Sequence, residues 1–286
     1  MYSLRLTMNR FLSKAGPMTR YLERLQSRIY YDYPFGNHPR GSRQTYLDLA
    51  EAARNNVFPD IAVYERDIGF TLDQNWLDDL ALHTQVVVKR SPLCYAHGRI
   101  LYSTLSRYLS DHPCLTPTNK VTILETGTAR GFSALCMAKA LRDQNRAGTI
   151  FTFDVIPHRT KMYWNCIDDH DGPQTRAELL DPWNDLLESH IVFHQGDTKL
   201  QLPRVDVGRV NFAFLDGAHT YKDVIFEFEQ IQEKQRPGDI IIYDDYSPNK
   251  FPGLAKAVDE ICEHKSYRCS ILNATQCRAY AITVKE

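Results

Sequence analysis

From Val121 onward, short apolar runs alternate with longer stretches of helical spacing. The runs Val121–Leu124, Ile150–Phe153, Ile191–His194, Asn211–Leu215 and Asp239–Tyr243 are rich in β-branched and aromatic residues. That composition predicts strands covered on both faces. Phe132–Leu141, Arg176–Ser189 and Tyr221–Lys234 separate them with apolar residues at helical intervals, and Pro252–His264 predicts a further helix. The ending Tyr267–Val284 holds two strand-like runs around Leu272–Gln276, which predict an antiparallel pair at one sheet edge. Strand and helix in alternation predict an α/β fold built on a doubly wound, mostly parallel sheet.

Before Val121 the spacing is helical. Thr45–Ala53 and Asp73–Leu82 carry it, and in His97–Leu109 the residues Ile100, Leu101, Leu105 and Leu109 form one apolar face. Arg28–Arg43, aromatic and broken by Pro and Gly, reads as an irregular loop. Asp111-His112-Pro113 is a stop signal, and the polar stretch Thr116–Lys120 leads into the first strand. The chain therefore divides into a helical N-terminal region, residues 1–115, and a sheet domain, residues 116–286. Met1–Leu22 carries Arg5, Arg10, Lys14 and Arg20 with no acid before Glu23. A docked basic helix is the first reading of that segment; peripheral contact with an anionic membrane surface, or a targeting role, is the alternative.

Composition narrows the field. At 43% hydrophobic and 24% charged, the 286 residues have the make-up of a soluble globular protein. A net charge of -1 argues against a general nucleic-acid binder. No run of about 18 apolar residues exists to span a membrane. The seven cysteines form no C-x-x-C pair, which argues against a zinc site. Their odd number suits a reducing, cytoplasmic setting.

The chemistry concentrates at the strand ends. Val121–Gly131, VTILETGTARG, delivers Glu125, Gly127, Thr128 and Gly131 into a turn that opens a helix. A pyrophosphate site wants G-x-G-x-x-G; here the order is E-x-G-x-x-x-G. That spacing disfavours an NAD-dependent oxidoreductase, and a carboxylate at the strand tip suits a cationic, amine-bearing ligand. The other tips read Asp154, Asp197, Asp216 and the pair Asp244-Asp245. A parallel sheet gathers such tips along one rim. Asp154 is placed to accept both ribose hydroxyls of a nucleoside, and Asp197 to flank its base. Gly127 admits the backbone to the ligand's amino-acid portion, and Glu125 sits near its ammonium or orients that loop. His219, three residues past Asp216, is the leading general base.

These pieces resemble the class I S-adenosylmethionine-dependent methyltransferases. The likeness lies in ILETGTARGFSA, FTFDV, VNFAFLDGAHTYKDV and RPGDIIIYDDYSPNKFPG, and runs from Val121 to the C-terminus. Within that family the chain resembles bacterial sugar and natural-product O-methyltransferases and relatives called cephalosporin hydroxylases. The resemblance implies a Rossmann-like fold that binds S-adenosylmethionine through Glu125, Gly127, Thr128, Gly131, Asp154, Asp197 and Asp216. It implies a divalent cation, Mg2+ first, held by Asp216, Asp244 and Asp245. The acceptor would be a hydroxyl on a small molecule, a sugar or natural product, with Asp216 and His219 catalytic and the N-terminal region as substrate lid. Relatives often carry an Asp two residues after the first metal ligand; Ala218 stands there in this chain. Tyr95 and Ser91 would line the site, and Tyr246, Asn249 and Phe251 would wall the acceptor pocket. Two other functions stay open. An iron-dependent hydroxylase would need two His and one carboxylate, and no second His accompanies Asp216 and His219. A non-catalytic cofactor-binding protein is the other. A homo-oligomeric assembly is compatible with this reading.

Overall fold

The computed structural model describes residues 35, 38–112, 120–275 and 278–286. The basic N-terminal segment, most of the Arg28–Arg43 loop, Cys114, Cys277 and linker residues 116–119 lie outside the described residues.

Four helices come first: α1 (Arg43–Arg54), α2 (Pro59–Ile68), α3 (Gln74–Thr84) and α4 (His97–Asp111). The sheet domain follows as β1 (Val121–Thr126), α5 (Phe132–Asp143), β2 (Gly148–Asp154), α6 (Asn184–His190), β3 (Ile191–Gln195) and β4 (Phe212–Leu215). It ends with α7 (Tyr221–Gln232), β5 (Ile240–Tyr243), α8 (Pro252–His264), β6 (Tyr267–Thr275) and β7 (Arg278–Lys285). The seven strands order as β3-β2-β1-β4-β5-β7-β6. All pairs through β5 are parallel, whereas β7 runs antiparallel to both β5 and β6. This is the doubly wound sheet with a closing antiparallel pair that the apolar pattern predicts.

Strand periodicity explains why both faces are covered. Ile123, Phe212, Phe214, Ile240 and Ile242 point into a core shared with α4 and α5. Their neighbours Leu124, Ala213, Leu215, Ile241 and Tyr243 point the other way, into a core with α7 and α8. Alternate residues of one strand thus feed opposite layers, as a period of two requires. Ile61, Leu77 and Leu101 belong to the first of these cores, so the N-terminal helices are packed against the sheet itself.

Two elements differ from the sequence reading. The helix expected over Arg176–Ser189 is broken into a helical turn at Arg176–Leu179, a 3-10 turn at Asp181–Trp183, and α6. Pro182 has no N–H to continue a helix and restarts one instead. Helix α2 was not expected; Pro59 opens it and Gly69, at φ 79°, closes it in the left-handed conformation. No described helix is long and apolar enough to cross a membrane.

Candidate functional site

A cavity of about 1410 Å³ opens over the carboxyl ends of the strands, where the strand order reverses between β1 and β4. That reversal is where doubly wound sheets hold ligands. Gly127, Asp154, Asp197 and Asp216 line it, and the stretch after α3, Val87–Arg90, borders it.

The half over β1 and β2 is held mainly by backbone groups. The Asp154 carboxylate accepts the Ala129 N–H at 2.6 Å and the Ile156 N–H at 2.8 Å. Buried Arg176 bonds the carbonyls of the same two residues, at 2.9 and 3.2 Å. Arg176 thus clamps the β1–α5 turn to the end of β2 and keeps Asp154 at the cavity wall. Burial raises the Asp154 pKa, while the Arg176 charge and the backbone N–H groups oppose that shift. Gly127 has φ 92°, and a Cβ there would run into the Asp216 carbonyl. Gly131 caps α5 at φ 95°, with Leu180 Cδ1 2.7 Å from where a Cβ would stand. Asp197 faces the cavity while accepting the Lys199 N–H at 2.9 Å.

Of the two expected roles of Glu125, the structure favours the one that orients the loop. Its carboxyl is fully buried, accepts the Ser133 and Thr152 hydroxyls, and is pushed up to about 7 by burial. It braces α5 against β2 from behind and does not line the cavity. Thr128 is also turned inward, its hydroxyl 2.5 Å from that of Thr152, and Gly131 too stands outside the lining.

The half over β4 and β5 is held by charged side chains. His219 Nε2 sits 3.6 Å from Asp216 Oδ1 and 3.6 Å from Asp245 Oδ2, with its ring stacked on Phe251 at 4.5 Å. Burial and the Asp244 charge raise Asp216 to about 7. Burial pulls His219 down, but the adjacent Asp216 carboxylate and the charges of Asp245 and Asp244 more than offset that and raise it. The two shifts share one cause, the surplus of carboxylates, because each neighbouring negative charge makes both groups hold their protons harder; burial adds to the rise of Asp216 and opposes that of His219.

Asp244 is closed off. Its Oδ1 accepts the Asp245 N–H at 2.7 Å and Arg278 Nε at 3.3 Å, and its Oδ2 pairs with Arg278 Nη2. Arg278 Nε also lies 3.4 Å from Asp245 Oδ1. Asp245 adopts φ 55°, a left-handed backbone rare outside glycine, which keeps it between Arg278 and His219. Neither Asp244, Asp245 nor His219 lines the cavity. Mg2+ demands near-octahedral oxygen donors at about 2.0–2.1 Å, whereas both Asp244 oxygens are already engaged, Oδ1 by the Asp245 N–H and Arg278 Nε and Oδ2 by Arg278 Nη2. Among the described residues, no three His, Cys, Asp or Glu side chains are placed to hold a metal ion. The residues therefore do not fit the divalent cation expected on Asp216, Asp244 and Asp245.

Other expected lining residues are engaged elsewhere. The Tyr95 hydroxyl donates to Asp78 at 2.8 Å, and Tyr246 donates to Asp259 at 2.8 Å. Ser91 is exposed, and neither it nor Asn249 lines the cavity. Two basic residues escaped the sequence reading. Arg176 lies in a long irregular connection with no motif around it. Arg278 lies outside every matching segment, but strand arithmetic reaches it: an antiparallel partner of β5 must begin beside the end of β5, at Asp244-Asp245.

Residues 124–246 match the sequence family described as a methyltransferase domain. The O-methyltransferase TomG from Streptomyces achromogenes, involved in tomaymycin synthesis and solved with SAM, is similar in structure with a TM-score of 0.50. It is 14% identical over 75% of this chain and 91% of that one. An O-methyltransferase from Bacillus cereus, solved with SAH, also has a TM-score of 0.50; it is 17% identical over 78% of this chain and 96% of that one. At these identities the likeness shows the fold alone. No curated protein matches the chain.

Proposed function

We propose that this chain is a class I S-adenosylmethionine-dependent methyltransferase that methylates a hydroxyl on a small molecule, a sugar or a hydroxylated natural product. One observation carries the reading: a single cavity joins a backbone-held carboxylate, Asp154, to Asp216, with His219 immediately behind. S-adenosylmethionine, when bound, supplies a methyl group already activated on a sulfonium. The residues fit such a ligand. Asp154 faces the cavity as a ribose acceptor would, Val155 and Ile156 give the wall an apolar part for the base, and Asp197 flanks it. The Asp216 carboxyl gives the wall polar character where a sulfonium would lie.

Held by Asp154 and Asp197, S-adenosylmethionine would give its methyl to the acceptor oxygen and keep the carbon–sulfur electron pair, leaving S-adenosylhomocysteine. His219 would take the hydroxyl proton by way of Asp216, whose carboxyl lines the cavity 3.6 Å from Nε2, with Asp245 steadying the imidazolium that results. The rate would come from alignment and charge, because no covalent bond to the protein is made. The proximity of Val87–Arg90 to the cavity supports reading the N-terminal region as its lid. The fit favours a route without a metal step.

The test is to incubate the protein with methyl-labelled S-adenosylmethionine and a panel of sugars, glycosylated natural products and phenols. Methylated product and S-adenosylhomocysteine should appear in equal amounts. Tight S-adenosylhomocysteine binding with no acceptor methylated would favour a cofactor-binding protein, and iron-dependent oxygen consumption would favour a hydroxylase.

A further inference from the structure

We infer that Arg278 is the resident cation of the β5 carboxylate pair, filling with a side chain the place the resemblance assigns to a divalent metal. The guanidinium reaches Asp244 through Nε and Nη2 and touches Asp245 through Nε, while Nη1 donates to the Cys94 carbonyl at 3.4 Å. A planar fork matched to a carboxylate is the geometry that favours arginine over lysine. Its position is not a surface accident. β7 pairs antiparallel with β5, Tyr243 against Ala281, so the first residue of β7 must lie just beyond the end of β5. The Tyr246 N–H bonding the Ala279 carbonyl at 2.9 Å extends that register to the turn itself. The guanidinium carbon also sits 5.6 Å from the Tyr280 ring centroid.

Asp244 is wholly buried, and a buried carboxylate requires a partner. Arginine cannot step aside by losing its proton, so a divalent ion bound to Asp244 would face a fixed positive charge on the same carboxylate. Arg278 is therefore a positioning residue. It neutralises the pair, holds the strained turn at Asp245, and through Asp245 fixes one side of His219. The inference rests on reading this cleft as the transfer site, but metal binding is measurable without turnover, so the two can fail separately.

The test is an electron-paramagnetic-resonance titration of the full chain with Mn2+, with S-adenosylhomocysteine present and absent. Wild type should leave the Mn2+ free. Arg278→Ala uncovers the carboxylates and should bind Mn2+ at least about tenfold tighter than wild type, an affinity lost again on adding Asp244→Asn. Arg278→Lys keeps the charge and should stay unloaded. A merely structural arginine would give no such gain. Stoichiometric Mn2+ binding by wild type that Asp244→Asn abolishes would overturn the inference, and needs no folded Arg278 variant. A folded Arg278→Ala that gains no Mn2+ would overturn it too.

Discussion

The two halves of the cleft are built by different means. Over β1 and β2, Asp154 is held by the N–H groups of Ala129 and Ile156, and Arg176 holds the same turn by its carbonyls. Over β4 and β5, Asp216, His219, Asp244, Asp245 and Arg278 hold one another by charge. A backbone cradle suits a ligand whose shape never changes. Mutually paired side chains suit an acceptor and a moving proton, where protonation has to change during a turnover. The first half presents fixed dipoles and the second responds to charge, so substitutions in the two should fail differently.

The largest effect should come from the responsive half. His219→Gln should lower kcat by about 10²- to 10⁴-fold, the usual range for a lost general base, with S-adenosylhomocysteine affinity kept. Calorimetry beside steady-state kinetics checks both numbers. A fall in affinity as large as the fall in kcat would erase the distinction between the halves.

Next comes the cradle. Asp154→Ala removes a charged acceptor that would be worth about 1.5–3 kcal/mol, so S-adenosylhomocysteine should bind about ten- to a hundredfold more weakly. The acceptor KM should change little. If affinity stays and the acceptor KM rises instead, the halves are assigned the wrong way round.

Each half also stands on a buried carboxyl. Glu125, under the first, is pushed up to about 7, and Glu227, bonded by the Thr126 hydroxyl at 3.0 Å, to about 8, both by burial. The folded state keeps these protons while the unfolded chain sheds them near 4.5. Their stability contribution is therefore complete below about 4.5 and lost as pH rises through 7 and 8. Each group should add a slope of up to about 1.4 kcal/mol per pH unit over its window. Urea midpoints from pH 5 to 8 should fall for wild type and flatten for Glu227→Gln. Parallel slopes for the two would show that Glu227 is ionised in the fold.

The smallest effect tests the turn. Gly131→Ala forces an alanine to φ 95° with its Cβ against Leu180. It should cost about 1–2 kcal/mol of stability, seen as a Tm drop of a few degrees.

The same contrast governs what the chain discloses. The sheet was readable because Ile123, Phe212 and Ile240 recur in short runs whose period matches a strand with two covered faces. Gly127, Asp154, Asp197 and Asp216 were found for a similar reason: a strand tip is a local feature, and parallel topology carries it to the cavity. Glu125 was legible only as one of two roles, because its motif position does not disclose that Ser133 and Thr152 claim its oxygens. The Asp244-Asp245 pair misled more, because its partner lies 34 residues downstream of Asp244 on another strand. Local spacing marks a carboxylate's address but not which cation it meets.

The most direct measurement is the melting temperature of wild type and Asp154→Ala with and without S-adenosylhomocysteine. At about 100 times its Kd the ligand should stabilise wild type by about 2.7 kcal/mol, and the variant should lose most of that shift at the same concentration. No shift in wild type, or equal shifts in both proteins, would contradict the account.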